Sequence, residues 1–415
     1  MKISPNVVEQ NKKVDYVLSL KNTSNIESIE VFSKSDYFHR DTVDYEIKNN
    51  DIHLTYTMLY VGEFVIKVNF TYKESKAVIL YCLDKDMIKL KPLKGDLHMH
   101  TIYSDGKRTP LAMCLSSMES GMDFISITDH DNYNGSLQAI KNVEEANLDI
   151  LVLPGEEVTV GNGDTSGNGH MLSINSNKSI DDQRKDTAVY EKELEEITQN
   201  IKKELSGKNI ESVHYAKNIW VINKIKEAKG ISILCHPKWL YHNSKYHLHQ
   251  PLYKEMLKNS TIDCVEVVGD IDKIEELNNM TYLTYMEIKN KHKYLAPIAN
   301  TDAHDSDHDA GERFTIVFAK EKTNEGIVEA IKEGFTCAVL KRGDKEHQFI
   351  ANSDLAHYAY FLIQEYFPKH QKLRNKLAKL YLDELIDKQS FENKINSTKN
   401  RLKEHFDGFF SIKLL

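Results

Sequence analysis

Over the first ninety residues, apolar and polar positions alternate in short runs: Tyr16-Val-Leu-Ser-Leu20, Ile29-Glu-Val-Phe32, Val43-Asp-Tyr-Glu-Ile47, Ile52-His-Leu-Thr-Tyr-Thr57 and Phe64-Val-Ile-Lys-Val-Asn-Phe70. A period of two puts one set of side chains on one face of a strand. Five such runs at near ten-residue spacing predict a small antiparallel β-sandwich over residues 1–92, immunoglobulin-like in outline. Tyr60-Val-Gly-Glu-Phe64 reads as its corner, Ala77–Cys82 as its last strand and Lys89-Leu-Lys-Pro-Leu-Lys94 as the linker that follows.

From Gly95 the texture changes. Phe124-Ile-Ser-Ile-Thr128, Ile150-Leu-Val-Leu153, Ile231-Ser-Ile-Leu-Cys235, Cys264-Val-Glu-Val-Val268 and Leu295-Ala-Pro-Ile-Ala299 are nearly unbroken apolar runs. Helical periodicity lies between them, near 110–120, 134–146, 190–205, 217–229 and 272–292. Strands buried on both faces and alternating with helices imply a parallel sheet, and over residues 93–344 a β/α barrel is the expected closure. In the last segment, 345–415, Leu355, Tyr358, Phe361, Leu362 and Tyr366 recur at helical spacing, Pro368 interrupts, and further helices over 369–388 and 391–406 follow. The whole is an α/β protein with a β-sandwich before the barrel and a helical extension after it.

Composition narrows the function classes. The 415 residues carry 62 acidic and 54 basic side chains, a net charge of −8, so nothing global suits nucleic acid or an anionic membrane. Attraction of an anion would have to be local. The basic stretch Lys369, Lys372, Arg374, Lys376 and Lys379 reads as a solvated helix face. No apolar run approaches the ~20 residues of a membrane span, and Met1-Lys-Ile-Ser-Pro5 lacks the apolar core of a signal peptide, so the expected location is cytoplasmic. Five cysteines without a Cys-x-x-Cys pair argue against a disulfide frame and for buried small hydrophobes.

The chemistry gathers where strands end. Gly95-Asp-Leu-His-Met-His-Thr-Ile-Tyr-Ser-Asp-Gly106 sets His98 and His100 two apart, so that both imidazoles face one side of an extended segment, with Asp105 just beyond. His130 closes the Phe124 run, Glu156 and Glu157 follow the Ile150 run, His170 opens Gly169-His-Met-Leu-Ser-Ile174, His236 closes the Ile231 run, and Asp302 and His304 follow Pro297-Ile-Ala-Asn. In a barrel these ends form one rim. Imidazole with carboxylate suits Zn, Mn or Fe. Two such ions ~3.5–4 Å apart can share a water and lower its pKa from ~15.7 toward ~7. Divalent ions held there would supply a local positive charge in an acidic protein.

Asp-Leu-His-Met-His with Tyr-Ser-Asp-Gly, Ile-Thr-Asp-His, Pro-Gly-x-Glu-Val-Thr, Gly-His, Cys-His-Pro and Thr-Asp-Ala-His occur in the order of the PHP (polymerase and histidinol phosphatase) family, and residues 95–340 resemble that family of metal-dependent phosphoesterases. The stretch from Gly311 to Thr336 resembles the branch that holds small phosphoesterases and carbamate-hydrolysing members. The resemblance implies a distorted (β/α)7 TIM-like barrel with two to three divalent metal ions. It assigns one ion to His98, His100, Glu157 and Asp302, a second to Asp105, His130 and His304, and a third to His170 and His236 with Glu157 bridging. Glu157 rather than Glu156 fits the Pro-Gly-x-Glu spacing.

Beyond the ligands, Lys238 and Arg313 are candidate phosphate contacts, and Trp239 could meet a ring. Asp129 and Asp131 flank His130 as candidate partners of an imidazole. Glu266 reads either as a rim residue or as the partner of a barrel-interior group, and His242, His247, His249 and His308 read as substrate loop or surface. The expected function is hydrolysis of a phosphomonoester or phosphodiester, with a small-molecule phosphate ester, nucleotide or oligonucleotide as substrate. A carboxylic or carbamate ester hydrolase with the same metal centre is the second reading, and a partner-binding scaffold the third. A homo-oligomer is compatible with the flanking modules.

Overall fold

The computed structural model describes residues 1–36, 38–161, 167–241, 245–269, 275–289, 295–305, 311–342, 346–387 and 391–411. They form two compact units. The first comprises Met1–Leu90, Ser353–Leu380 and Gln389–Leu415, the second Lys91–Asn352 and Tyr381–Lys388.

In the first unit the alternating runs become two sheets. Lys2–Ser4, Lys13–Ser19, Asp51–Thr57 and Tyr45–Lys48 make one, in that order; Val7–Glu9, Lys76–Leu83, Gly62–Phe70, Ile26–Ser33 and Asp41–Thr42 make the other. Register puts Tyr16 opposite Leu54 and Leu18 opposite Ile52, and Ile29 opposite Val68 and Val31 opposite Ile66. These pairs from both sheets share one buried core. Fully burying each such aliphatic side chain contributes roughly 1.5–3 kcal/mol, and a slip of one residue would turn the whole set to solvent. At the expected corner Tyr60 is 62% exposed. The turn is tied by its backbone instead, through Gln10 Nε2 donating to the Leu59 carbonyl at 2.7 Å and Asn11 N to that of Met58 at 2.9 Å.

Helices Ser353–Glu365, Phe367–Asp387 and Glu392–Phe409 follow the predicted periodicity, and Pro368 sits in the first turn of the second of them, where a missing N–H is harmless. They do not stand apart as a region beginning at 345. Glu346–Ile350 is a strand, paired antiparallel with Thr336–Arg342 in the second unit. The helices supply the first unit with an aromatic seam, in which Tyr81 lies 4.9 Å from Tyr358 and 5.3 Å from Phe361 between ring centroids. Backbone bonds from Asn6 N to Phe409 O (2.7 Å) and from Ser411 N to Val7 O (2.9 Å) close the seam. A helix with one apolar stripe has to bury it against something, and residues 353–380 do so within the unit of the N-terminal sheets. Of the basic stretch, Arg374 is buried while the four lysines are exposed.

The second unit is mixed α/β. Leu151–Leu153, Phe124–Ser126, Lys91–Asp96, Arg313–Ala319, Thr336–Arg342 and Glu346–Ile350 form a six-stranded sheet whose first three strands are parallel. Gly155–Thr159, His170–Ile174, Ile231–Leu234, Cys264–Val268 and Ala296–Ala299 form a five-stranded sheet, parallel over its last three strands. Helices Pro110–Glu119, Asn134–Glu145, Thr187–Ile201, Ser212–Glu227, Gln250–Asn259, Glu275–Lys289 and Asn324–Glu333 intervene. Among the described residues the ladder does not close into the single barrel expected from the sequence. At one junction the chain passes from Leu153 to Gly155 through Pro154, which has no N–H to donate. At the other, side chains replace ladder bonds: Leu97 N donates to Asn300 Oδ1 at 2.9 Å, and Thr301 N to the Asp96 carboxylate at 3.3 Å. Single bridges, Met99 with Ala303 and His130 with Glu157, still bring the strand ends of the two sheets together.

Candidate metal centre

Leu97 and Met99 point into the core, at 0% and 1% exposure. The period of two therefore turns His98 and His100 to the opposite side, where both are fully buried. His98 N donates to Asp96 Oδ1 (3.1 Å) and His100 N to the Ala303 carbonyl (2.9 Å), which fixes the pair against the segment that carries Asp302 and His304. The loop beyond is held by Asp129, whose carboxylate accepts from Thr101 N (2.7 Å), Thr101 Oγ1 (2.8 Å) and Ser104 Oγ (2.8 Å). Gly106 permits the return, since a Cβ there would lie 2.4 Å from the His100 carbonyl.

Glu157 is the hub. Its Oε2 lies 3.1 Å from His98 Nε2, 3.2 Å from His100 Nε2 and 3.2 Å from His130 Nδ1. Its Oε1 lies 2.8 Å from His236 Nε2, 2.9 Å from His170 Nδ1 and 3.3 Å from Cys235 Sγ. Asp302 Oδ1 faces the same two imidazoles, at 3.1 Å from His98 and 2.9 Å from His100. Asp105 Oδ2 stands 3.2 Å from His304 Nε2 and 3.7 Å from His130 Nε2. Neighbouring Glu156 points the other way, taking Ser179 Oγ at 2.9 Å and the Ile180 N–H; burial pushes its carboxyl up to about 7.

The outer nitrogens of two imidazoles are occupied. His98 Nδ1 donates to Glu266 Oε2 at 3.1 Å and His304 Nδ1 to the Asp302 carbonyl at 2.8 Å, so each ring presents Nε2 to the pocket. Glu266 is 1% exposed and is shared with Asn300 Nδ2 at 3.3 Å. His236 and Asp302 hold positive φ, +25° and +54°, a left-handed backbone that non-glycine residues rarely adopt and that recurs at functional sites.

The pocket's electrostatics call for positive charge. Burial raises the Glu157 carboxyl, but His130, His98 and His170 draw it well below the usual carboxylate range. Asp302 behaves likewise: burial opposes, and His98 and His100 lower it strongly. Burial would lower His100, yet Asp302 and Glu157 hold it up at about 10. His98 Nε2, His100 Nε2, Glu157 Oε2, His170 Nδ1 and Asp302 Oδ1 are nevertheless buried without a well-formed hydrogen bond. Ligand atoms clustered in this way, with no hydrogen-bond geometry among them, fit cations. They converge in groups: His98, His100, Glu157 and Asp302; His100, Asp105, His130 and His304; His130, Glu157 and His170; and His98, Cys235 and His236.

All nine sequence-predicted ligand residues thus meet in one pocket, with His170 and His236 on a shared Glu157 oxygen but in separate convergent groups. Lys238 is buried and committed elsewhere, donating to Gln250 Oε1 with its ammonium 5.0 Å from the Tyr246 ring centroid. Arg313 is half-buried and opens the strand antiparallel to Lys91–Asp96. Asp131 Oδ1 accepts from Thr159 N (2.8 Å) and Arg184 Nη2 (2.9 Å). Sequence reasoning assigned no role to Asp96, Cys235 or Asn300 and could not orient Glu266. A carboxylate inside the otherwise apolar Cys264–Val268 was the available signal for the last. His247, read as loop or surface, is 9% exposed with its ring 4.4 Å from that of His170. His242, His292 and His308 lie outside the described residues.

Residues 96–299 match the family model of the PHP domain. Short stretches are similar to curated proteins: 48 residues are 40% identical to the DNA polymerase/3′-5′ exonuclease PolX of Bacillus subtilis, covering 12% of this chain and 8% of that protein. Another 64 residues are 34% identical to the 5′-3′ exoribonuclease Rnm of Escherichia coli, covering 15% and 22%. The chain therefore spans less than a quarter of the length of either relative. Among solved structures, a two-domain protein from Bacteroides vulgatus containing a predicted PHP-like metal-dependent phosphoesterase aligns at TM-score 0.42 and 20% identity, over 61% of this chain and 66% of that one. An amidohydrolase from Chromobacterium violaceum with bound sulfate and no metal aligns at TM-score 0.36 and 16% identity, over 52% and 89%.

Proposed function

Since the chain belongs to the PHP family through residues 96–299, we propose that it is a metal-dependent hydrolase that cleaves phosphate esters. The observation that carries the reading is the set of buried, poorly partnered ligand atoms around Glu157 and Asp302. His98, His100, Glu157 and Asp302 would hold one divalent ion, and Asp105, His130 and His304 a second. His170, His236 and Glu157 would hold a third. Mn, Zn or Fe ions bound there would supply an activated water and charge to steady the phosphoryl oxygens.

The chain's own part is positional. Glu157 joins the sites through its two oxygens, Glu266 fixes the His98 ring, and Asp129 holds the loop that carries Asp105. Arg313, at the end of its strand nearest His98, is the phosphate contact we propose; Lys238, already bonded to Gln250, is not. A cytoplasmic location belongs to this proposal; the structure contributes only that no described helix is long and apolar enough to cross a membrane.

The test is elemental analysis of the purified protein together with hydrolysis of bis-p-nitrophenyl phosphate, p-nitrophenyl phosphate and p-nitrophenyl acetate, with and without added Mn²⁺. Two to three metals per chain and metal-dependent release from a phosphate ester are expected. Bound metal with turnover of the acetate alone would transfer the assignment to carboxylic or carbamate esters. Absence of metal and of turnover would leave the scaffold reading.

A further inference from the structure

Next to the ligand set lies a brace that supplies no ligand itself. Along Gly155–Thr159 the period of two turns Glu157 to the pocket and Glu156 to the other side. There Glu156 anchors a separate segment, accepting from Ser179 Oγ at 2.9 Å and from the Ile180 N–H. Ser179 in turn accepts from Asp182 N through its hydroxyl (3.1 Å) and from Gln183 Nε2 through its carbonyl (3.1 Å), which closes the short helix Asp181–Arg184. Its last residue returns to the end of the same strand. Arg184 Nη1 donates to the Thr159 carbonyl at 2.7 Å, and Nη2 donates to Asp131 Oδ1 at 2.9 Å and to Asp181 Oδ1 at 2.5 Å. Asp131 Oδ1 also takes Thr159 N at 2.8 Å.

Arg184 is 7% exposed. A guanidinium is kept that far from water only where carboxylates and carbonyls face it, and here they come from residues beside two ligands. Asp131 follows His130, and Thr159 stands two past Glu157. The backbones already interlock, with Asp131 N donating to the Glu157 carbonyl at 2.9 Å and Glu157 N to that of Asp129 at 3.3 Å. Asp131 holds φ at +47°, a left-handed backbone that non-glycine residues adopt only when it is held. What this fixes is His130. Its Nδ1 lies 3.2 Å from Glu157 Oε2 and its Nε2 3.7 Å from Asp105 Oδ2, so one imidazole belongs to two convergent groups, that of His100, Asp105 and His304 and that of Glu157 and His170. A ring shared in this way has to be held by the residues around it.

We propose that Arg184 is a positioning residue of the metal centre: by tying Asp131 to the Thr159 end of the strand that carries Glu157, it sets His130 between the two groups and so governs how tightly the ions that need His130 are held. The inference rests on the metal-dependent reading of the site and is independent of which ester is cleaved. The group of His98, His100, Glu157 and Asp302 does not include His130 and is the internal control. Glu157 itself is kept in place by the ladder to His170–Ile174.

The experiment titrates the full chain with Mn²⁺ alone, reading bound metal by equilibrium dialysis and its surroundings by electron paramagnetic resonance, for wild type, Arg184→Met, Arg184→Lys, Asp131→Asn and the double variant Arg184→Met/Asp131→Asn. Arg184→Met is expected to weaken at least one ion about tenfold, in the range typical of groups that orient metal ligands. One ion per chain should keep its wild-type affinity, and the signal of neighbouring, coupled Mn²⁺ ions should give way to that of an isolated one. Asp131→Asn should do the same, and the double variant should lose no more than either alone. Arg184→Lys should recover only part of the affinity, because one ammonium lacks the fork that reaches carbonyl and carboxylate together. Unchanged metal binding in Arg184→Met, equal weakening of every ion, or additive losses in the double variant would overturn the positioning role. Wild type that binds no Mn²⁺ would sink the metal-dependent reading and this inference with it. The expected pattern without turnover of any phosphate ester would keep the brace and sink only the phosphoesterase reading. If Arg184→Met does not fold, Asp131→Asn, which keeps an acceptor for Thr159 N, makes the comparison by itself.

Discussion

Glu157 has six potential ligand atoms within 3.3 Å of its two oxygens. Removing its charge should therefore affect more than one ion. Glu157→Gln is expected to lower bound metal by at least one equivalent and phosphodiester turnover by more than about a hundredfold, because a catalytic metal's ligand carboxylate is lost. Native-like circular dichroism with unchanged metal content would sink the hub assignment. His98→Ala and Asp302→Ala should likewise abolish hydrolysis with little loss of fold. Glu266 acts one step removed, through the His98 ring. Partners of ligand imidazoles typically matter by about 10–100-fold in metal affinity or activity, so Glu266→Gln should fall in that range, with added metal recovering part of the rate. Failure of excess metal to recover any activity would point to a packing role.

At the scale of elements, the helix Asn134–Glu145 begins under the site, and a Cβ at Gly135 would lie 1.8 Å from Asp129 Oδ2. Glycine in a helix ordinarily costs up to about 1 kcal/mol relative to alanine, so Gly135→Ala would stabilise an isolated helix. Here the sign should reverse, with a loss of about 1–3 kcal/mol from the forced shift of Asp129. Urea unfolding of the two proteins measures it, and a gain in midpoint would refute the close approach. In the first unit, the final helix places His405 against Tyr366, Nε2 donating to the Tyr366 carbonyl at 3.1 Å and the rings stacked at 4.8 Å. Burial, with Lys369 and His370 adding to it, lowers this imidazole to about 4. The unfolded chain then binds more protons than the folded one between about 6.5 and 4, so stability should fall as pH drops through that window. His405→Gln should flatten that part of the stability–pH curve of the first unit.

At the scale of the whole molecule, two compact units and one ligand cluster imply a separable response to metal. Ions that bind only the folded second unit stabilise it by mass action. Chelation should therefore lower its melting transition and raise amide exchange around 98–105, 155–159 and 232–236, while residues 1–90 keep their protection. Hydrogen exchange with and without chelator measures this directly. Loss of protection in the N-terminal sheets on chelation would contradict it.

The nine residues that meet in the pocket were legible in the sequence because most stand at one end of an apolar run, where strand periodicity leaves few directions for a side chain, and because their motifs occur in the order of the PHP family. The strand at 346–350 was not legible as such. Its Glu-His-Gln-Phe-Ile is polar enough to pass for the start of a helical tail, and only pairing with Thr336–Arg342 reveals it. The partner of Lys238 was not legible either, because a loop lysine after His-Pro gives no hint of a glutamine twelve residues on that accepts its hydrogen bond.

What the sequence determined by itself is local and periodic: which residues form strands, which side of each strand faces inward, and which chemical groups stand at the ends. What only the tertiary structure decided is pairing across long separations. That Glu157 meets six partners, that Glu266 holds the His98 ring and Asp96 holds Thr301, that two sheets meet through side chains instead of closing, and that the terminal helices join the first unit all depend on contacts between segments tens to hundreds of residues apart. Periodicity fixes the direction of a side chain, but its partner is set by packing, and packing is a property of the folded chain as a whole.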